Sequence, residues 1–154
     1  MKYEELIAQL CEVIKESENN AKLIYALDVW TSQLHDLLKN NPKIISIENT
    51  DIRNFDTSLL KNSIDIITCD VSFISLEKII DSIFKLKTFK TRIILLFKPQ
   101  YEVWKENLTK FWTPINQKII DEKLNNFCLI LSQKWVKIER VILSKLTWEN
   151  WNKE

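Results

Sequence analysis

Short apolar runs alternate with amphipathic stretches along the whole chain. Leu6, Ile7, Leu10, Val13 and Ile14 recur at helical spacing, so residues 3–17 predict an amphipathic helix. The run LIYALDV at 23–29 shows no polar alternation, the pattern of a strand buried on both faces. Thr31 or Ser32 can then cap a short helix carrying Leu34, Leu37 and Leu38, and Asn41-Pro42 turns the chain into a second run, KIISIE at 43–48. A third run, IDIITCDV, spans 64–71. After Ser75, the residues Leu76, Ile79, Ile80, Ile83 and Phe84 form a helical stripe. RIILLF at 92–97 is the fourth run, ended by Lys98-Pro99, and Ile119, Ile120, Leu124, Phe127 and Leu131 place a helix over 115–134. The last run, VKIERVIL at 136–143, alternates at its start and predicts a strand nearer a sheet edge. Strands alternating with helices in this way define an α/β fold with a mainly parallel sheet.

In such a sheet, ligands bind beyond the carboxyl ends of the strands. Asp28 follows the first run, Glu48 and Asp51 the second, Asp70 the third and Lys98 the fourth. Any one of these would ordinarily be a solvated loop residue or a helix cap. Charge at four successive strand ends points to one functional rim.

Composition narrows the function classes. The 154 residues suit one domain, and 45% apolar with 28% charged content is ordinary globular usage. A net charge of +1 means that any grip on nucleic-acid phosphates is local or supplied elsewhere. No apolar run approaches the roughly 20 residues needed to cross a bilayer, and MKYEELIAQL lacks the blocks of a signal peptide, so a cytoplasmic protein without membrane contact is expected. Cys11, Cys69 and Cys128 are scattered through apolar or helical patterns and predict free, buried thiols. With His35 as its single imidazole and no paired cysteines, the chain offers no metal site.

Three segments, YALDV (25–29), DVSFISL (70–76) and KPQYEV (98–103), resemble the signatures of the hemolysin/TlyA-type, FtsJ-like ribosomal RNA 2'-O-methyltransferases, in the same order and with similar spacing. The tail SKLTWENWNKE (144–154) resembles the close of that family. The resemblance runs from about residue 20 to the end. It implies a Rossmann-like methyltransferase fold, S-adenosylmethionine (AdoMet) as cofactor, and ribosomal RNA or a ribosomal subunit as partner. Of the family's Lys-Asp-Lys-Glu catalytic set, Asp70, Lys98 and Glu154 match. Lys98 is implied to orient or deprotonate the ribose hydroxyl, a poor nucleophile at neutral pH, and Asp70 to position Lys98 and help place the methyl donor. Asp28 is implied to bind the AdoMet ribose hydroxyls, with Asp51 and Ile52 near the adenine.

Two departures follow from the same comparison. The family's first strand, glycine-rich loop, first catalytic lysine and S4-type RNA-binding domain have no counterpart here, although CEVIK (11–15) resembles the helix after that loop. The expectation is one partial methyltransferase domain over residues 1–154, in which strands that would flank the missing one lack a pairing partner. The chain also has no glycine, where about 7% is usual, and six tryptophans. Trp30, Trp104, Trp112, Trp135, Trp148 and Trp151 all stand where the family has glycine. This coincidence implies that glycine is native there, through a codon misread as tryptophan; the other reading keeps the rings as core or RNA-stacking residues. An alternative of a different class is a non-catalytic remnant, binding at most RNA or a partner. A membrane-active toxin has no spanning run or secretion signal to support it.

Overall fold

The computed structural model describes residues 21–142, which fall in two compact units dividing between Leu59 and Leu60. The predicted helix over 3–17, Cys11 and the tail from 144 lie outside the described residues.

In the first unit, β1 (Ile24–Leu27) pairs in parallel with β2 (Ile44–Ile47), in the register Ile24↔Ile44 to Leu27↔Ile47. The one-turn helix α1 (Asp36–Lys39) connects them. It is shorter than the leucine pattern suggests and starts later, because Ser32 takes a left-handed backbone (φ 59°) that an N-cap cannot have. Beyond β2, Asp51 caps a 3₁₀ turn at Ile52–Asn54, its carboxylate accepting from the Arg53 amide.

In the second unit, β3 (Ile66–Cys69) pairs in parallel with β4 (Arg92–Leu95), in the register Ile66↔Arg92 to Cys69↔Leu95. Between them a 3₁₀ turn, Leu76–Lys78, leads into α2 (Ile80–Leu86), and Ser75 caps the turn by accepting from the Glu77 amide. Lys98-Pro99 opens the short helix α3 (Pro99–Glu102), with proline in the first turn where its missing N–H costs nothing. α3 packs against α4 (Gln117–Gln133), which is capped by the Asn116 side chain on the Ile119 amide.

Among the described residues the buried apolar side chains lie in this second unit. Leu76, Ile79, Ile80 and Ile83 are essentially sealed from solvent, joined by Phe127 and Leu131 of α4. Burying each such side chain contributes about 1.5–3 kcal/mol. An ion pair of 2.6 Å between Lys134 and Asp81 ties the end of α4 to α2.

The α/β character with parallel strands is as the pattern predicts, but two details differ. Among the described residues no strand residue is fully buried, and in β3 and β4 burial alternates: Ile66 and Ile94 are half exposed on one face while Ile67, Cys69, Ile93 and Leu95 are partly covered on the other. Two-stranded sheets have few neighbours to cover both faces. The expected strand at 136–143 is irregular from 136 to 142, with Val141 and Ile142 exposed. Alternation creates a strand only where another strand pairs with it, and none does among the described residues.

Two tryptophans occupy turns built for glycine. Trp135 has φ 59° and follows α4 as the C′ residue of a Schellman motif: its amide donates to the Ser132 carbonyl and the Val136 amide donates to the Leu131 carbonyl. Trp112 has φ 60° and closes the tight turn after Thr109, where its amide donates to the Thr109 carbonyl. A residue without Cβ occupies both positions at lower cost. Trp30 and Trp104 are exposed and outside the left-handed region, and Trp148 and Trp151 lie beyond the described residues.

Candidate active site

Parallel pairing brings the ends of β3 and β4 side by side, and the ladder continues one step further as the Leu96 amide donates to the Cys69 carbonyl at 2.9 Å. Asp70 leaves β3 at this point and Lys98 follows β4. Their side chains meet: Lys98 Nζ is 2.5 Å from Asp70 Oδ1, and the two side chains are only 8% and 10% exposed. Lys98 Nζ also donates to Ser72 Oγ at 3.0 Å. Asp70 Oδ1 nevertheless has no aligned hydrogen-bond donor, so its contact with Lys98 is a charge pair made off the hydrogen-bond axis. A buried pair of this kind repays its desolvation only while both partners are present.

The loop after Asp70 is unusual. Phe73 has φ 64°, a strained conformation for a bulky side chain, and its ring is 80% exposed. The ring rests against Tyr101 of α3, with centroids 5.2 Å apart. Further along, Glu102, at the end of α3, is buried and accepts from Ser75 Oγ at 2.7 Å and from the Leu76 amide at 2.8 Å. Burial pushes its carboxyl above the ordinary glutamate range, and the Leu76 and Ser75 bonds pull the other way. Beside the pair, burial and then the Asp70 charge push the Cys69 thiol up to about 12, so it is a protonated wall of the site and no nucleophile.

In the first unit the acids also gather at strand ends, but each is engaged locally. Asp28 follows β1, its amide donating to the Ile47 carbonyl, and its Oδ1 accepts from the Trp30 amide at 2.8 Å. Glu48 accepts from the Ser32 amide at 2.9 Å, and that bond, with further amides of the loop, holds its carboxyl below the usual range. Arg53 binds both Asp51 oxygens, at 2.5 Å through Nη2 and 3.0 Å through Nε, and lowers that carboxyl to about 2. Ile52 follows, partly buried.

The structure thus unites Asp70 with Lys98, sets Asp28 and Asp51 at the strand ends of their own unit, and leaves Glu154 outside the described residues. Sequence reasoning overlooked Ser72, Phe73, Tyr101 and Glu102. All four lie inside the DVSFISL and KPQYEV segments, so the signal was the segment and the missing information was the loop that folds it onto Lys98. Among the described residues no cluster of metal-ligating side chains occurs, and no helix is long and apolar enough to cross a membrane.

A family model for FtsJ-like methyltransferase matches residues 8–144. The chain belongs to the FtsJ-like methyltransferase family. It is 51% identical over 88 residues to the 23S rRNA (cytidine-2'-O)-methyltransferase TlyA of Campylobacter jejuni, covering 57% of this chain and 33% of that protein. Hemolysin A of Brachyspira hyodysenteriae is 34% identical over 110 residues, covering 71% of this chain and 45% of the relative. A solved structure of a putative hemolysin from Lactococcus lactis superposes with TM-score 0.70 at 26% identity, covering 75% of this chain and 56% of that one. The resemblance seen in YALDV, DVSFISL and KPQYEV is therefore borne out at the level of the family and its TlyA and hemolysin relatives. The chain spans about a third to a little under half of the length of these two curated relatives.

Proposed function

We propose that this chain carries catalytic machinery for methylating a ribose 2'-hydroxyl of ribosomal RNA with AdoMet. The observation that carries the reading is the buried Asp70–Lys98 pair at the carboxyl ends of two adjacent parallel strands, in a chain of the FtsJ-like family. The match over residues 8–144 extends across both compact units and supports treating residues 1–154 as one partial methyltransferase domain. Ribosomal RNA as substrate makes the cytoplasm the place of action.

The residues present fit the cofactor chemically. Asp28 and Asp51 offer carboxylates, and a carboxylate can accept both hydrogen bonds of a vicinal diol. Asp28 would hold the AdoMet ribose, and Asp51 and Ile52 would lie at the adenine; in the other unit the buried Asp70 Oδ1 has no aligned donor of its own. AdoMet supplies an electrophilic methyl group on a sulfonium.

The protein's own tasks are to orient and activate the hydroxyl. Lys98, fixed by Asp70 and Ser72, orients the hydroxyl oxygen as an ammonium, or accepts the hydroxyl proton after first releasing one of its own to solvent. Asp70 holds Lys98 in place. The exposed Phe73 ring, braced by Tyr101, gives a base a stacking face beside the reacting ribose. Glu154 completes the catalytic set.

The test is methyl transfer to an rRNA fragment, with product mapped at the 2'-oxygen. Lys98→Ala should lower the rate roughly a hundredfold or more without loss of AdoMet binding, and an unchanged rate would refute the role. One observation favours the alternative of a non-catalytic remnant: Asp28 and Asp51 already accept hydrogen bonds from Trp30 and Arg53. Titration calorimetry separates the two. AdoMet binding that disappears in Asp28→Ala supports the enzyme, whereas no binding, even in a chain with glycine at the six tryptophan positions, supports the remnant.

A further inference from the structure

Glu102 stands out among the groups that the proposed chemistry leaves unused. It is a buried carboxylate, 9% exposed, in a chain whose other described glutamates lie nearer the surface. Ionised groups are seldom buried unless paired or hydrogen-bonded. Among the described residues Glu102 has no ion-pair partner, and its bonds run instead to Ser75 and Leu76, 27 and 26 positions away.

Those bonds act on one loop. Lys98 and Glu102 bracket α3, so their spacing is fixed by a helical turn. Lys98 holds the start of the loop after β3, at Asp70 and Ser72, and Glu102 holds its end, at Ser75 and Leu76. Between the two anchors sits Phe73, in a backbone conformation that a bulky side chain leaves unless its surroundings impose it. With the far anchor released, the loop is free to relax toward negative φ at Phe73. That relaxation would carry Ser72 and Asp70 away from Lys98.

We propose that Glu102 is a positioning residue, whose hold on Ser75 and Leu76 keeps the 70–76 loop strained and thereby keeps Asp70 and Ser72 on the Lys98 ammonium. The consequence for catalysis rests on the methyltransferase reading above. The geometric claim does not.

The full chain is compared with Glu102→Ala and Glu102→Gln. Gln keeps an acceptor for the Leu76 amide and a polar partner for Ser75, so it should restore most of what Ala removes. The first readout needs no activity: the ¹⁵N–¹H correlation of the Lys98 ammonium, together with hydrogen exchange at the Leu76 amide. In Glu102→Ala the Lys98 correlation should broaden or disappear and Leu76 should exchange about tenfold faster or more, with both restored in Glu102→Gln. If Leu76 opens while Lys98 is unchanged, Glu102 is only a cap for the 3₁₀ turn and the proposal falls. If Glu102→Ala fails to fold, Glu102→Gln decides: an intact Lys98 signal with Leu76 still protected agrees with the clamp, and loss of the Lys98 signal with Leu76 protected overturns it.

The second readout is methyl transfer. A misplacement on the order of 1 Å can cost roughly a hundredfold in rate, so kcat should fall by that order in Glu102→Ala with KM for RNA nearly unchanged. A rise in KM with kcat unchanged would overturn the positioning role. If the unaltered chain transfers no methyl group, the methyltransferase reading is what fails, and the Lys98 signal still decides the clamp.

Discussion

The acids of the first unit and the charged cluster of the second solve the same problem in different ways. Asp28 accepts from Trp30, Asp51 from Arg53 and Asp56 from Ser58, each two residues away. These bonds form wherever the local chain bends, and water competes for every one of them. Asp70, Lys98 and Glu102 are instead buried, with partners 26 to 28 positions distant in the sequence. Their charges are tolerable only because the β3–β4 ladder and α3 bring those partners close. Locally satisfied acids can therefore be changed cheaply, and the buried cluster cannot.

The sharpest way to break this contrast is to remove one member of the buried pair. Lys98→Ala leaves Asp70 without its cation and should destabilise the second unit by about 3–5 kcal/mol, whereas Lys98→Met with Asp70→Leu should recover much of that loss. Urea denaturation of the single and double variants measures it. A single variant within about 0.5 kcal/mol of the unaltered chain would make this pair no different from a surface one.

Ile83→Ala, in the sealed stripe of α2, should cost about 2–5 kcal/mol in the same assay without altering the Lys98–Asp70 contact. Loss of that contact would mean that core and site are not separable.

Trp135→Gly and Trp112→Gly run the other way. Each removes a side chain from a left-handed position that costs a residue with Cβ about 1–2 kcal/mol, so each should raise the midpoint of thermal unfolding. Trp104→Gly, at a position outside that region, should not. Peptide mass spectrometry of the native protein tests the same point directly, by showing whether glycine occupies positions 112 and 135.

The smallest effect belongs to the first unit. Arg53 lowers the Asp51 carboxyl from 3.8 to about 2, so its folded pKa lies below the unfolded one. Its contribution is present above about pH 3.8 and is lost as the pH falls toward 2. The stability difference between the unaltered chain and Asp51→Asn should shrink across that window and be small throughout, because the Arg53 side chain is half exposed and the pair is screened by water. A difference that persists at pH 2 would show that packing, not charge, is at stake.

The apolar pattern by itself determined the alternation of strands and helices. LIYALDV, KIISIE, IDIITCDV and RIILLF are each too short and too uniformly apolar to be anything but strands between helical stripes, and each contains one. The sequence also placed Asp70 and Lys98 at strand ends. It could not show that 136–142 stays irregular, since a strand needs a neighbour and the alternation of one segment says nothing of its partner. Nor could it show which charges are buried. Asp28 and Asp70 both follow an apolar run, yet the first is held by its own turn and the second by a lysine brought from the next strand. Only the tertiary structure decided that Glu102 would close on Ser75 and that Phe73 would take a left-handed backbone in the loop between β3 and that contact. These are long-range contacts, whose cost in chain entropy is met by the packing of the whole unit and is written in no single segment.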